Sequence, residues 1–169
     1  MIKATKYIST VSLGIALYVV LSSFIKIPII GHIGLDLGYI ALAVYAYHFG
    51  CIPAMIVGSF GCSIVSLLFY GWFPFGWFVA NLFVGAMCGG VYHKYGQDKL
   101  IKNYIVTVAA VFVGIALIKT MIECAMFGIP VAVKLPKNLV AASIDAVTMC
   151  AGLSIAPKIK VAPAMRESS

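Results

Sequence analysis

Residues 50–92 read GCIPAMIVGSFGCSIVSLLFYGWFPFGWFVANLFVGAMCGGVY, and not one of them is Asp, Glu, Lys or Arg. The charge-free interval is longer still, running from just after Asp36 to just before Lys94. A helix needs roughly 20 mainly apolar residues to cross the hydrocarbon core of a bilayer, so this interval alone has room for three short spans. The aromatic turn at its centre, Tyr70-Gly-Trp-Phe-Pro-Phe-Gly-Trp77, suits a chain emerging at the membrane–water interface, where Trp and Tyr concentrate.

The rest of the chain agrees. It is 63% hydrophobic and 10% charged over 169 residues, whereas soluble domains are roughly 45–50% apolar and about 25% charged. The net charge of +7 does not signal nucleic acid, because the basic residues collect in short segments between apolar runs and not along one soluble face. Cys51, Cys62, Cys88, Cys124 and Cys150 stand singly, with no CxxC pair, and read as packing residues with no metal site. Lys3 and Lys6 precede an uncharged run that ends at Ile25. That run exceeds the roughly 7–15 residues of a signal-peptide core and reads as a retained first helix.

Apolar length and Gly, Pro and charge punctuation place six spans at about 7–25, 33–49, 53–70, 76–92, 101–127 and 138–156. The expectation is an all-α membrane protein, a single compact bundle of six transmembrane helices over residues 1–169. Lys3, Lys6, Lys94, Lys99, Lys102, Lys158, Lys160 and Arg166 fall on the side of the termini, against Lys26, Lys134 and Lys137 opposite. The positive-inside rule then puts both termini in the cytoplasm. The segments 28–36, 70–75 and 128–137 become outward-facing loops.

Close approach through small side chains drives helix association in lipid, and small residues recur every four positions. Gly50, Ala54, Gly58, Cys62 and Ser66 do so on span three, Ala142, Ala146, Cys150 and Ser154 on span six, and Gly85 with Gly89 on span four. Span one carries a shorter pair, Ser12 and Ala16, fit to pack inside the chain or to meet a separate membrane protein.

Ionisable residues at membrane depth are expensive and mark functional sites; here they are Lys119, Glu123 and Asp145. Lys119 and Glu123 are one helical turn apart, able to pair. At about 1.5 Å per residue, Glu123 lies about 6 Å and Lys119 about 12 Å inside Phe127, Asp145 about 10 Å inside Asn138, and Asn81 about 8 Å inside Gly76. Four polar residues from three helices thus share one layer near the outer face. Trp72 and Trp77 stand above it as walls or lid, with Tyr39 and Asp36 at the outer end of span two. Aromatic walls around a few converging polar groups are the usual makeup of a small-ligand site. Each residue also admits a purely structural role, Lys119 with Glu123 as an internal pair and Asn81 as an interhelical hydrogen bond. No catalytic residue is expected: HExxH and repeated Asp motifs are absent, and His32, His48 and His93 are far apart in sequence.

The sequence resembles the substrate-binding S components of energy-coupling factor (ECF) transporters, bacterial vitamin importers. The resemblance lies in the six-span layout with cytoplasmic termini, Ile27-Pro-Ile29, the stretch YAYHFGCIPAMIVGSFG from Tyr45 to Gly61, and Gly71-Trp-Phe-Pro-Phe-Gly-Trp-Phe-Val-Ala-Asn81 followed by Gly85. It implies a multi-pass protein of the bacterial plasma membrane that captures a vitamin or related micronutrient near the outer face, with riboflavin the first substrate to try. It also implies docking through an AxxxA-type patch on the first helix, here Ser12 and Ala16, onto a transmembrane coupling protein driven by two cytoplasmic ATPases. The chain has no GxxxxGK[ST] loop, so ATP belongs to those partners and no cofactor is expected. A self-sufficient transporter or channel, and a ligand-free assembly subunit, are the alternatives; an enzyme is not.

Overall fold

The computed structural model describes residues 2–24, 27–30, 33–95 and 100–159. Ile25, the expected end of the first span, lies outside them, as do His32 and the Lys26, Lys99, Lys160 and Arg166 of the charge count. The order is α1 (Ile2–Phe24), β1 (Ile27–Ile30), β2 (Ile33–Leu35), α2 (Gly38–Phe49), α3 (Cys51–Tyr70) and α4 (Phe75–Tyr95). Then come α5 (Leu100–Val111), a π-helical stretch (Phe112–Lys119), α6 (Thr120–Phe127), α7 (Val131–Ile155) and a closing 3-10 turn (Ala156–Lys158). The segment from α5 through α6 is one continuous rod, so the described residues form six helical rods.

Among the described residues, five rods are long and apolar enough to cross a membrane: α1, α3, α4, the α5–α6 rod and α7. Their outward faces carry large bare side chains such as Ile8, Phe60, Leu68, Ile101 and Val147. For a soluble protein such a surface is a liability; in lipid it is the solvent-facing side. The chain is a multi-pass membrane protein.

The sixth rod departs from expectation. The predicted span 33–49 is a short helix, α2, of 12 residues, about 18 Å long and so too short for a core about 30 Å thick. Nearly all of it is buried, packed among α1, α3, α4 and α7. The apolar residues before it go into an antiparallel hairpin, with Ile27 opposite Leu35 and Pro28 opposite Gly34. The bundle itself is helical as expected, with this short strand pair added ahead of α2. Isoleucine favours extended backbone, and Pro28 excludes Ile27 from the helical region; a run this short does not reveal its period.

The expected loop 128–137 is also corrected. Gly128 ends α6 with φ +64°, its N–H donating to the Cys124 carbonyl at 3.0 Å, and Pro130 immediately caps α7. Helix therefore resumes at Val131, and Pro136 sits inside α7. Pro136 is the sixth residue of α7 and forfeits the N–H bond to the Ala132 carbonyl, yet the helix runs through it, so this proline does not mark a boundary here.

The stripes on α3 and α4 pack within the chain, as do Ala142 and Ala146 of the stripe on α7, whereas Ser154 at its end is exposed. A Cβ at Gly85 would fall 2.7–2.8 Å from the Ala54 and Met55 backbone, and one at Gly89 would fall 2.5 Å from the Gly50 carbonyl oxygen. Backbones of α3 and α4 thus approach through glycine alone. On α7, Gly152 does the same against the Ile40 Cα, at 2.8 Å. Gly50 itself takes φ +81° between α2 and α3, a conformation glycine adopts without penalty; it folds the buried short helix back onto a full-length one. Ser12 and Ala16, by contrast, are exposed on α1.

Candidate functional site

The polar residues gather in the bundle, but in two tiers. The outer tier joins α6 to α7. Lys119 Nζ lies 3.0 Å from Glu123 Oε1 and donates to Asn138 Oδ1 at 2.6 Å. Asn138 Nδ2 donates to Thr120 Oγ1 at 2.8 Å. From the start of α7, Lys134 Nζ reaches the other carboxylate oxygen, Glu123 Oε2, at 3.1 Å. The Lys119 ammonium also sits 4.4 Å from the centre of the Trp77 ring, where the negative face of indole attracts a cation. Gly76, in the first turn of α4, leaves room for the pair: a Cβ there would stand 3.2 Å from Glu123 Cγ and 3.4 Å from Lys119 Cγ. Lys119 closes the π-helical stretch, a departure from α-geometry that recurs at functional sites.

The inner tier is built by α2, α3, α4 and α7. The Tyr39 hydroxyl donates to Asn81 Oδ1 at 2.8 Å, and both residues are buried. Asn81 Nδ2 has no hydrogen-bond partner among the described residues; its polar neighbour is the Cys62 sulfur, a weak acceptor. Asp145 is 4% exposed and makes no hydrogen bond or ion pair among the described residues.

Asp36 closes this tier from above. Its carboxylate accepts from Ser22 Oγ at 2.5 Å, from the Tyr18 hydroxyl at 3.3 Å and from the Gly38 backbone N–H at 2.8 Å. The last contact satisfies a free donor at the N-terminus of α2, where negative charge is favoured. Asp36 thereby ties α1 to the start of α2.

The single expected layer therefore divides. Because α7 starts at Val131 and not Asn138, Asn138 is level with Lys119 and Thr120, and Asp145 is seven residues further along, about 10 Å deeper. Of the aromatics, Trp77 joins the outer tier, whereas Trp72 is largely exposed and contributes its backbone carbonyl to Ser66 Oγ–H at 3.1 Å. Sequence reasoning missed Lys134, Asn138, Thr120, Tyr18 and Ser22. The Lys134 and Asn138 spacing, one turn matching Lys119 and Glu123 on the facing helix, was an available signal once α7 is extended.

Against known families, the model for the ECF-type riboflavin transporter, S component, matches residues 2–156. The match bears out the resemblance read from the motifs, over nearly the whole chain, and it is to a transporter component and not to an enzyme. Two curated relatives, both called UPF0397 protein, come from strains LMD-9 and CNRZ 1066 of Streptococcus thermophilus. Each is 29% identical over 83 residues, covering 49% of this chain and 46% of the relative. The aligned part thus spans about half the length of these curated relatives.

Proposed function

We propose, for a chain that belongs to the family of ECF-type riboflavin transporter S components, that it is the subunit that captures a vitamin-like small molecule for import. The observation that supports this most directly is the inner and outer tiers together. Four helices bring Tyr39, Trp77, Asn81, Lys119, Glu123 and Asp145 into the interior of a bundle whose outside is apolar. A bundle kept together by helix packing alone does not need buried carboxylates and an ammonium at this depth, since each costs several kcal/mol, on the order of 2.5–3.5 at the membrane centre.

In this reading the site opens toward the outer face and both termini lie in the cytoplasm of a bacterial cell. Energy comes from a transmembrane coupling protein and two ATPases, which dock on the exposed Ser12 and Ala16 face of α1. Riboflavin is the first compound to test, as the substrate in the family's name.

The test has two arms. Small molecules carried through purification of the full chain are identified by mass spectrometry and then titrated back. Uptake of the same compound is measured in cells with and without a coupling module. Carry-through of a micronutrient and module-dependent uptake are expected. Uptake that needs no module would make the chain a self-sufficient transporter, and a broad vitamin panel with neither binding nor thermal shift would end the capture reading.

A further inference from the structure

The α5–α6 rod keeps a repeat that a regular α-helix cannot keep. From Asn103 every fourth residue is buried, through Thr107, Val111, Ile115 and Lys119 to Glu123, and from Ile101 to Ala125 every fourth residue is exposed. At 3.6 residues per turn each step of four overshoots a full turn by about 40°, so six steps would carry a face roughly 240° around the helix. The repeat stays on one side because the rod is not α-helical throughout. Between Phe112 and Lys119 it is π-helical, and i→i+5 bonds take one more residue into the turn. Thr107 and Lys119 show the size of the effect. Twelve residues apart in sequence, they would stand about 120° apart on a regular helix, and only about 20° apart if one residue is absorbed. Both are buried, at 0% and 4% exposure. The stretch therefore holds a surplus residue, and it is pinned at both ends. A Cβ at Gly114 would fall 2.8 Å from Val84 Cγ2 on α4, while Lys119 and Thr120 are bonded to Asn138 on α7.

We propose that the π-helical stretch is a register switch: giving up its surplus residue to regular helix turns α6 by one position against α7 and opens the outer tier, as a step in releasing substrate. This rests on the capture reading above. The sequence defines the second register, because each residue after the stretch takes the place its successor held. Ile118 then stands where Lys119 stood, and Ile122 where Glu123 stood. Lys119 moves to the place of Thr120, still beside Asn138, and Glu123 moves to that of Cys124 and leaves Lys134. The Trp77 face loses its cation. In this change α6 turns by about 100° and advances by about 1.5 Å, the scale of helix shift found in switching proteins. Lys119 and Glu123 remain one turn apart, so their own ion pair survives the shift. A rod one residue shorter would present the same faces in plain helix and have no second register. The surplus residue serves a rod that moves.

The experiment removes the surplus. Val113 faces outward, 37% exposed, and its deletion from the full chain lets regular helix run from α5 into α6 with Lys119 and Glu123 where they now stand. The outer tier is then formed but unable to shift. Riboflavin, used as the probe, should bind within about twofold of wild type. The variant should co-purify with the coupling module as wild type does, and module-dependent riboflavin uptake should fall at least about tenfold. Glu123→Gln should lower the melting temperature of the deletion variant as much as that of wild type, which reports an intact tier without any ligand. Normal uptake by the deletion variant, a melting temperature indifferent to Glu123→Gln, or loss of co-purification overturns the proposal. Should the variant fail to fold, hydrogen exchange on the wild-type chain decides. Amides from Ile115 through Lys119 should exchange at least about tenfold faster than equally buried amides of α5 and α6, as for a segment that opens locally; equal protection overturns the switch. A wild-type chain that binds no riboflavin counts against capture of that compound, and the exchange result still decides the switch.

Discussion

Lys134, at the start of α7, donates to Glu123 Oε2 at 3.1 Å across the α6–α7 turn. The same carboxylate is held on its other oxygen by Lys119. The two lysines are not equivalent, since the Lys134 side chain is 27% exposed and that of Lys119 only 5%.

Removing either lysine should therefore have different consequences. Lys134→Met is expected to cost about 1 kcal/mol or less, as for a solvent-accessible ion pair. Lys119→Met leaves a buried carboxylate with one partial partner and Asn138 without its donor, and should cost roughly 3 kcal/mol. Lys119→Met/Glu123→Gln removes both charges together and should recover part of that loss. Thermal unfolding of the four proteins in one detergent gives the order. Equal effects of the two single substitutions would contradict the difference in burial.

Glycines of α4 provide a sharper test of the packing. A Cβ at Gly85 would overlap the backbone of Ala54 and Met55, while at neighbouring Gly90 nothing lies within 4 Å. Gly85→Ala must push α3 and α4 apart, and a cost of about 1–3 kcal/mol is expected for such overpacking. Gly90→Ala should instead be neutral or stabilise by up to about 1 kcal/mol, through helix propensity. Melting temperature and the yield of monodisperse protein report both. Equal tolerance at the two positions would mean that α3 and α4 do not meet through backbone.

The long rods were legible because a membrane span is specified by sheer apolar length, and the i, i+4 spacing announced the Lys119–Glu123 pair. What escaped had opposite causes. In 33–35 the apolar run is too short for its period to be read, so strand and helix look alike before α2 begins. At 130–137, two prolines and two lysines resemble a loop, although Pro130 serves as a cap and Pro136 falls inside α7. That one misplaced boundary moved the origin for Asp145, and it turned two tiers into one apparent layer. The Tyr39–Asn81 bond joins residues 42 apart in sequence; only the close approach of α2 and α4 creates it.

Asn103 offers a contrast with Asn81. It is fully buried on α5, and neither its amide nitrogen nor its oxygen has a partner among the described residues. Unlike Asn81 it has no tyrosine bonding its oxygen among the described residues; its neighbour Thr107 bonds to its backbone carbonyl at 2.7 Å. Asn103→Leu is then expected to stabilise the chain, because an unpaired buried amide costs about 1–3 kcal/mol and a similarly sized apolar side chain does not. A rise in melting temperature with unchanged substrate affinity is the expected result. A fall in stability would mean that this amide is paired in the membrane.

The last prediction concerns the outside of α1. Ser12 and Ala16 are exposed there beside Ile8 and Leu13, while the opposite face of the same helix is fixed inside: Gly14 sits against the Tyr45 ring, and Tyr18 bonds to Asp36. One helix thus separates two duties. A bulky residue on the exposed face has room in this chain but none in a close helix–helix contact, where small side chains let backbones approach. Ala16→Trp should leave substrate affinity within about twofold, since the substitution touches no buried contact, and should abolish uptake in cells carrying the coupling module. A second substitution, Leu17→Trp, on an adjacent exposed position, maps the edge of the patch by the size of its uptake defect. Normal uptake by Ala16→Trp would remove this face of α1 as the docking surface. Loss of binding along with uptake would show instead that the two faces of α1 are not independent.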